Sequence, residues 1–314
     1  MRAMVIDEWG GREQIHETDL DPPPVAPDGV LVRVRAAGVN PVDWKTREGR
    51  QAPHFPAHFP LVLGWDAAGV VEKVGPAVTA FKPGDEVYGY LRRHHLQFGT
   101  YAEYATAPET SFAHKPPSLS FEEAAAIPLA ALTAHQALET VGVRGGETLY
   151  VGGGAGGVGH FAIQLAVARG ARVIATASER NQDFLRELGA DPLDYAAGDV
   201  PTRVRELTRD GGADAALDLF GGDGREEVFA TLRRGGRLVS VAQPIPEPRE
   251  GYEVHYIYVR PDGDELRELA DLVAAGELRP HVEEVFPLER AADAHERIEA
   301  GHVRGKLVLS VPAA

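Results

Sequence analysis

A run of glycines from Gly152 to Gly159 is the part of the sequence best suited to hold a phosphate group. Gly154, Gly156 and Gly159 fit the pattern G-x-G-x-x-G, with a predicted strand before them and a predicted helix after them. Glycine permits a tight turn and leaves backbone N–H groups uncovered at the positive end of the helix. The pattern predicts a dinucleotide site rather than a glycine-rich turn without a ligand. The site also includes Gly157 and Val158.

The residues after the next predicted strand, Arg172 to Ala177, indicate which dinucleotide binds. NAD sites usually place Asp or Glu directly after this strand, where it binds the ribose 2′-hydroxyl. Here Ser178 can donate to a phosphate oxygen, and Arg180 can pair with a phosphate dianion. Glu179 would favour NAD if it turned inward, and Ser178 could instead cap a helix. The sequence favours NADPH.

The predicted elements that position these residues differ between the first part of the chain and the rest. Residues 1–110 read as short strands separated by Gly and Pro turns, for example Val30 to Ala36, Gly69 to Val74 and Glu86 to Tyr90. From Ser120, where Glu123 completes a capping box, strands and helices alternate. That alternation predicts an α/β fold with a doubly wound parallel sheet, covered by helices on both faces.

Composition limits the other function classes. The chain has 314 residues, a formal net charge of -15 and no cysteine. The acidic balance argues against nucleic acid and anionic membrane partners. The lack of cysteine removes disulfides, thiolate zinc sites and thiol nucleophiles. No apolar run is long enough to span a membrane, and the start of the chain does not resemble a signal peptide, so we expect a cytoplasmic protein.

The sequence resembles the medium-chain dehydrogenase/reductase superfamily, in its zinc-independent NADPH:quinone oxidoreductase and enone reductase branch. Besides the glycine loop, the matching segments are Ala37 to Lys45, Gly64 to Val71, Gly84 to Tyr88, Leu132 to Ala134 and Arg304 to Leu309. The resemblance implies a discontinuous, β-rich GroES-like catalytic domain at 1–118 and 250–314, and a Rossmann NADPH-binding domain at 119–249. Asn40 and Trp65 stand where the zinc-dependent branch has metal ligands, so no metal site is expected.

The resemblance also implies catalytic residues. Without a metal, a quinone or an α,β-unsaturated carbonyl is the fitting hydride acceptor, and its oxygen needs a hydrogen-bond donor. Lys45 is the predicted donor. We expect Asn40 to orient the cofactor or substrate, and Asp43 to hold Lys45 or reach the ribose. The alternatives are a turn at Asn40, a helix cap at Asp43 and a solvated Lys45.

Further residues complete the predicted site. The residues predicted to line the substrate are Trp65, Tyr88 and Tyr256. For Trp65, a place in the hydrophobic core is an equally good interpretation. Lys306 is expected to approach the cofactor phosphates or to finish a strand. The remaining predicted cofactor contacts are Thr133, Tyr195, Phe220, Gly221, Val241, Ala242 and Tyr258.

Together these features predict a zinc-independent, NADPH-dependent reductase of quinones or α,β-unsaturated carbonyls, acting on small molecules as a homodimer. Two alternatives stay open: a non-catalytic, crystallin-like NADPH-binding protein, and an NADPH-dependent aldehyde or alcohol reductase on the same fold.

Overall fold

The computed structural model describes residues 1–208, 211–222, 224–245 and 249–312. In chain order the strands are β1 (Arg2–Ile6), β2 (His16–Asp19), β3 (Gly29–Val39), β4 (Leu61–Val62), β5 (Asp66–Val74), β6 (Glu86–Tyr90), β7 (Tyr104–Pro108), β8 (Phe112–His114), β9 (Thr148–Val151), β10 (Arg172–Ala177), β11 (Asp191–Asp194), β12 (Ala213–Asp218), β13 (Leu232–Ser240), β14 (Glu253–Tyr256), β15 (Val282–Pro287) and β16 (Lys306–Ser310). The helices are α1 (Pro41–Arg47), α2 (Phe121–Ala125), α3 (Pro128–Val141), α4 (Gly159–Ala168), α5 (Gln182–Glu187), α6 (Val200–Leu207), α7 (Gly224–Thr231), α8 (Gly263–Ala274) and α9 (Ala291–Glu299).

The chain forms two compact units. The β-rich unit comprises Met1–Leu129, Pro261–Gly276 and Pro280–Ala314, and the α/β unit comprises Ala130–Arg260 and Glu277–Arg279. The units change over later in the chain than the predicted domain boundaries at 118/119 and 249/250. The reason is local packing, because α2 lies against β3 and β5, and β14 pairs with β13.

The sheet of the α/β unit is parallel throughout, in the order β11-β10-β9-β12-β13-β14. Numbered within the sheet, this is the order 3-2-1-4-5-6 of the Rossmann fold. The predicted fold class is therefore confirmed. The strand order reverses between β9 and β12, which is where ligands bind in such sheets.

The main sheet of the β-rich unit follows the order β15-β16-β3-β5-β6-β8, with β7 also on β3. Its register places Gly38 opposite Asp66 and Val39 opposite Leu307. Asn40, Asp66 and Lys306 stand at or directly beside these paired residues, so three distant parts of the sequence meet at one point. A second sheet, β2-β1-β4, belongs to the same unit.

Local signals read from the sequence set several element ends. The capping box is present, because Ser120 Oγ accepts from the N–H of Glu123 and the Glu123 carboxylate accepts from the N–H of Ser120. Gly170 lies in the turn directly after α4. Its φ of +77° is in the left-handed region, which glycine adopts at low cost. No helix among the described residues is both long and apolar enough for a membrane span.

Candidate functional site

The carboxyl ends of all six parallel strands lie along one edge of the α/β sheet, because parallel strands end on the same side. We call this the carboxyl edge. It carries most of the cofactor residues predicted from the sequence. They are Gly154, Gly156, Gly157 and Val158 after β9, Ser178 and Arg180 after β10, Tyr195 after β11, Phe220 and Gly221 after β12, Val241 and Ala242 after β13, and Tyr258 after β14. Tyr256, which is predicted to line the substrate, lies at the end of β14.

The glycines after β9 occupy their positions for different structural reasons. Gly153, outside the motif, has φ of +72° and makes the turn. A Cβ on Gly154 would lie 2.8 Å from the Cβ of Ala175, and one on Gly159 would lie 2.3 Å from the carbonyl oxygen of Gly153. A Cβ on Gly156 would meet only that same oxygen, at 3.4 Å. Packing requires glycine at 154 and 159, whereas position 156 is open to an approaching ligand.

Backbone donors stand beside that open position. The N–H groups of Gly153 and Gly154 donate to the Oγ1 and carbonyl oxygen of Thr176, which fixes the loop on β10. For the N–H groups of Gly157 and Val158, directly before α4, no acceptor is recorded within the described parts of the chain. Unpaired N–H groups at a helix N-terminus form an anion site.

The turn after β10 holds the residues that favour NADPH. Ser178 is half-buried and occupies the N-cap position of a short 3₁₀ turn, but its side chain makes no capping hydrogen bond. Its Oγ instead accepts from Nδ2 of Asn181 at 3.3 Å, which leaves the hydroxyl proton available for donation. Glu179 and Arg180 are both exposed.

Four large aromatic side chains are exposed at the carboxyl edge. The exposed fractions are 48% for Tyr195, 59% for Phe220, 37% for Tyr256 and 42% for Tyr258. The Phe220 ring lies over the glycine loop, because a Cβ on Gly153 would be 2.7 Å from its Cζ. Aromatic surface of this kind suits a ligand with flat rings.

Asp218, which the sequence interpretation missed, fixes this part of the edge. It is fully buried, and it accepts hydrogen bonds from the N–H of Gly221 at 2.8 Å, Oγ of Ser240 at 2.7 Å and Nε of Arg225 at 2.9 Å. Burial raises the pKa of Asp218, but these hydrogen bonds outweigh burial and keep the pKa below its usual range. An acid directly after the hydrophobic run of β12 was the available sequence signal.

Thr133 also lies in the α/β unit, on α3, and is largely buried with 5% of its surface exposed.

The β-rich unit holds a second group of predicted residues, in a different environment. Nδ2 of Asn40 donates to Oδ2 of Asp66 at 2.8 Å. Nζ of Lys306 donates to the carbonyl oxygen of Val39 at 2.9 Å and to Oδ1 of Asn40. We call Asn40, Asp43, Asp66 and Lys306 the buried cluster, since each is at most 3% exposed.

The predicted roles of Lys306 and Asn40 as cofactor contacts are therefore corrected. The ammonium of Lys306 is enclosed and engaged by the chain itself, so it is not available to cofactor phosphates. The amide of Asn40 is engaged at both ends, by Asp66 and by Lys306. Their role in this structure is to hold the start of α1 against β5 and β16.

Asp43 is corrected in the same way. Its Oδ2 accepts from the N–H of Asn40 at 2.7 Å and from the hydroxyl of Tyr101 at 3.0 Å, as the cap alternative predicted. It does not hold Lys45, and its burial keeps it from a ribose. Burial raises the pKa of Asp43 to about 7 and that of Asp66 to about 6.

Lys45 differs from its neighbours in the motif. It is half-buried on α1, and Nζ lies 5.7 Å from the centroid of the Trp44 ring. Among the described residues no hydrogen bond or ion pair of Nζ is recorded. Burial and, secondarily, Arg50 lower the pKa of Lys45. Of the three predicted catalytic side chains, Lys45 is the one that retains its donors.

Tyr88 and Trp65, the two residues of this unit that were predicted to line the substrate, have different surroundings. Tyr88 is fully buried and its hydroxyl donates to the carbonyl oxygen of Leu266, so its predicted place beside the substrate is wrong. Trp65 is 7% exposed and lines a pocket together with Thr46, Leu91, Arg93 and His95.

A second enclosed polar group adjoins Asp43 and was not predicted. Nη1 of Arg47 donates to Oε1 of Glu299 at 2.8 Å and lies 3.1 Å from Nδ1 of His295. His295 is fully buried, and burial, then the charge of Arg47, lower its pKa to about 3. Neutral His295 therefore packs α9 against α1.

Comparison with known proteins agrees with this architecture. Residues 26–117 match the family described as "Alcohol dehydrogenase GroES-like domain", and residues 188–309 match "Zinc-binding dehydrogenase". The NADPH-dependent alkenal/one oxidoreductase of Arabidopsis thaliana chloroplasts is 36% identical over 98% of this chain and 79% of its own length.

Solved structures show the same similarity over the whole chain. Escherichia coli quinone oxidoreductase, solved with NADPH, is 28% identical with a TM-score of 0.87, over 99% of this chain and 100% of that one. A structure named NAD-dependent alcohol dehydrogenase is 37% identical with a TM-score of 0.90, over 99% and 100%. The chain therefore belongs to the medium-chain dehydrogenase/reductase superfamily, among the relatives that include quinone and enone oxidoreductases.

Proposed function

We propose that this protein is an NADPH-dependent reductase of quinones or α,β-unsaturated carbonyls. The observation that carries the proposal is the carboxyl edge, where an open position at Gly156 adjoins unpaired N–H groups and exposed aromatic rings. The names of the alkenal/one oxidoreductase and the quinone oxidoreductase support the same chemistry. When bound, NADPH supplies the hydride.

At the carboxyl edge, the N–H groups of Gly157 and Val158 bind the pyrophosphate. Ser178 and Arg180 bind the phosphate on the ribose, because a hydroxyl and a guanidinium complement a dianion. No acid occupies the position directly after β10, which is where NAD sites carry one. Phe220, Tyr195 and Tyr258 offer apolar faces to the rings. Thr133, Gly221, Val241 and Ala242 remain predicted contacts.

The acceptor carbonyl needs a donor as negative charge develops on its oxygen. We assign this role to Lys45, a half-buried residue whose pKa is lowered, since a weaker hold on the proton makes a better acid. Lys45, or a water molecule, would supply the one proton that the acceptor takes up in addition to the hydride.

We further propose that the reaction needs no zinc. The chain has no cysteine, and no group of three His, Cys, Asp or Glu side chains suited to a metal occurs in the part of the chain that the structure describes. Asn40 and Trp65 stand where the zinc-dependent branch carries ligands, which supports activation of the acceptor by hydrogen bonding alone.

A second candidate is reduction of aldehydes or oxidation of alcohols, favoured by the similarity to an NAD-dependent alcohol dehydrogenase. The two functions differ in acceptor and in cofactor. A non-catalytic NADPH-binding protein would bind the cofactor and reduce none of the acceptors.

The deciding experiment follows cofactor absorbance with NADPH or NADH and a panel of quinones, enones and saturated aldehydes. We expect oxidation of NADPH by quinones or enones, and a fall in rate of roughly 10²–10⁴-fold for Lys45→Ala. Lys82→Ala, at an exposed turn of the same unit, is the matched control. Reaction only with saturated aldehydes, or preference for NADH, would contradict the proposal.

A cytoplasmic location and a homodimer remain predictions. For the dimer, the supporting feature is β14, an edge strand whose outer side has no partner strand among the described residues. Some relatives carry chloroplastic or mitochondrial locations in their names.

A further inference from the structure

The chain has no cysteine thiol, so its lysine amines are the candidate nucleophiles toward a reactive carbonyl compound. The five lysines are Lys45, Lys73, Lys82, Lys115 and Lys306. The proposed acceptors are electrophiles, because the β-carbon of an α,β-unsaturated carbonyl accepts a nucleophile as well as a hydride. An amine attacks such a carbon only when it is neutral, since a protonated amine has no lone pair. The surroundings of each lysine therefore decide whether it can react.

Lys306 and Lys115 are enclosed and engaged by the chain itself. Lys306 is 3% exposed, and its Nζ donates to Oδ1 of Asn40. Lys115 is 8% exposed, and its Nζ donates to the carbonyl oxygen of Leu119 at 2.6 Å and pairs with Oε2 of Glu86 at 3.1 Å. Neither amine is open to a reagent from solution while the protein is folded.

Lys73 and Lys82 have the opposite surroundings. Both are exposed, Lys73 on β5 and Lys82 in the turn before β6. In water a lysine amine is protonated at neutral pH, which removes the lone pair needed for attack. These two lysines therefore combine access for a reagent with full solvation of the charged form.

Lys45 on α1 differs from the other four lysines. It is half-buried, so its ammonium group is less well solvated although a small reagent can still reach it. Its Nζ lies 5.7 Å from the centroid of the Trp44 ring, and the guanidinium of Arg50 lies 4.8 Å from the same centroid. Two cations beside one ring repel each other. Burial first, and then the charge of Arg50, lower the pKa of Lys45, which increases the neutral share of this amine.

The acidic groups around α1 are engaged by arginines rather than by this amine. Oε2 of Glu48 pairs with Nη2 of Arg50 at 2.8 Å, and Oε1 of Glu299 on α9 pairs with Nη1 of Arg47 at 2.8 Å. His295, which also faces α1 from α9, is buried and neutral.

Asp43, on the same helix as Lys45, is buried and accepts hydrogen bonds from Asn40 and Tyr101. Among the described residues, no recorded ion pair holds the proton on Lys45. The half-buried position and the absence of a recorded anion both favour the neutral, nucleophilic form.

We propose that Lys45 is a covalent modification site for α,β-unsaturated ketones, through addition of its neutral amine to the β-carbon. A bond forms between Nζ and this carbon as the C=C π bond opens, and the electron pair moves toward the carbonyl oxygen. The proton lost by the amine ends on the α-carbon, so no group leaves and nothing is oxidised or reduced. The product is a secondary amine that carries the whole ketone.

The inference rests on the proposed function, from which it takes the acceptor class, and it adds a regulation of the same site. The β-carbon takes the hydride in the proposed reduction and takes the amine in this addition. A modified Lys45 carries a bulky group on the atom assigned to the acceptor oxygen, so modification lowers the reductase activity. Acceptor that accumulates without being reduced therefore slows the enzyme.

The experiment treats the native protein with methyl vinyl ketone in the absence of cofactor, so that no hydride is supplied. Digestion with a glutamate-specific protease and mass spectrometry give the rate of adduct formation at each lysine. At about pH 7 we expect Lys45 to react roughly 3- to 30-fold faster than Lys73 and Lys82. This ratio should shrink as the pH approaches about 10, where solvated lysine amines also begin to lose their protons.

An equal rate at Lys45 and Lys82 near neutral pH would overturn the inference. A ratio that stays constant as the pH rises would also overturn it, because such a ratio would reflect access to the reagent alone.

Arg50→Gln removes the neighbouring charge, and we expect it to slow the reaction of Lys45 near neutral pH without changing that of Lys82. Arg186→Gln is the matched control, because the side chains of Arg50 and Arg186 are both 58% exposed and each pairs with a carboxylate. Lys45→Arg keeps the positive charge and should abolish the adduct at this position. The saturated ketone butanone should leave no adduct of this kind.

Reductase activity measured on the modified protein separates this inference from the proposed function. A modified protein that keeps its full rate would support the modification site and contradict the donor role of Lys45. A Lys45 that stays unmodified in a protein that reduces enones would overturn this inference alone.

Discussion

The carboxyl edge of the α/β unit and the buried cluster of the β-rich unit both contain residues predicted for the functional site, but their hydrogen-bonding groups are used in opposite ways. At the edge, N–H groups, a hydroxyl proton and aromatic faces are left for a ligand. In the cluster, Asn40, Asp66 and Lys306 use one another. A polar residue in a family motif therefore binds ligand only where the chain has left its hydrogen-bonding capacity unused.

The largest expected effect is on the buried cluster. Lys306→Met removes the cation beside two buried carboxyl groups, and we expect a loss of about 3–5 kcal/mol in the free energy of unfolding. Urea denaturation followed by fluorescence measures it, with Lys82→Met as the surface control. Adding Asp66→Asn to Lys306→Met should recover part of the loss. A loss as small as that of the control would mean that the cluster is not a closed structural unit.

At the carboxyl edge, the next effect concerns affinity rather than folding. Arg180→Ala should raise the Kd for NADPH roughly 10- to 100-fold and leave that for NADH nearly unchanged, because only NADPH carries the extra phosphate. Fluorescence titration with both cofactors measures this. Arg186→Ala on α5, exposed and paired with Asp183, is the matched control. Equal weakening of both cofactors would show that Arg180 has no part in the choice.

Two glycines of the loop after β9 test tight packing and ligand binding separately, although they lie only two positions apart. Gly154→Ala places a methyl group against Ala175, Ile163 and Leu185, so it should cost about 1–3 kcal/mol of folding stability. Gly156→Ala meets only one oxygen at ordinary contact distance, so it should fold normally and bind NADPH more weakly. Thermal melts and cofactor titration separate the two. Normal NADPH affinity in a folded Gly156→Ala protein would remove the ligand from that position.

A further expected effect is a dependence of stability on pH. The pKa values of Asp43 and Asp66 rise on folding from 3.8 to about 7 and about 6, so the folded state binds their protons more tightly. This contribution is present at low pH and is lost as the pH rises from about 4 to about 7. Asp43→Asn should flatten that fall, measured as urea midpoints across the range.

His295 acts with the opposite sign in the same pH window. Its pKa falls on folding from 6.5 to about 3, so its contribution is lost as the pH drops through this interval. His295→Gln should therefore steepen the fall of stability with rising pH. A profile unchanged in both variants would mean that neither buried group titrates between the folded and unfolded states as described.

Local patterns were sufficient for the elements and for the glycine loop. Strand β10 begins and ends where its apolar run predicts, and Ser120 with Glu123 begins α2. The hydrogen-bond partners of Asn40 could not be predicted from the sequence. Asp66 and Lys306 lie beside Asn40 only because of the register in which β5 and β16 pair with β3. Tyr88 lay in a family segment, but which face of β6 is buried depends on α8, far along the chain.

The place of β16 has a consequence for how the protein is made. This strand lies between β15 and β3 in the β-rich sheet, yet it is synthesised after every strand of the α/β unit. During translation, one edge of β3 therefore stays partly unpaired, and Asp66 lacks Lys306 as a neighbour, until β16 has been synthesised. The α/β sheet can form completely before β3 and Asp66 gain these partners. Arrival of Lys306 closes the sheet edge and supplies the cation in a single late step, so nascent chains shorter than this strand are the ones most exposed to strand mispairing.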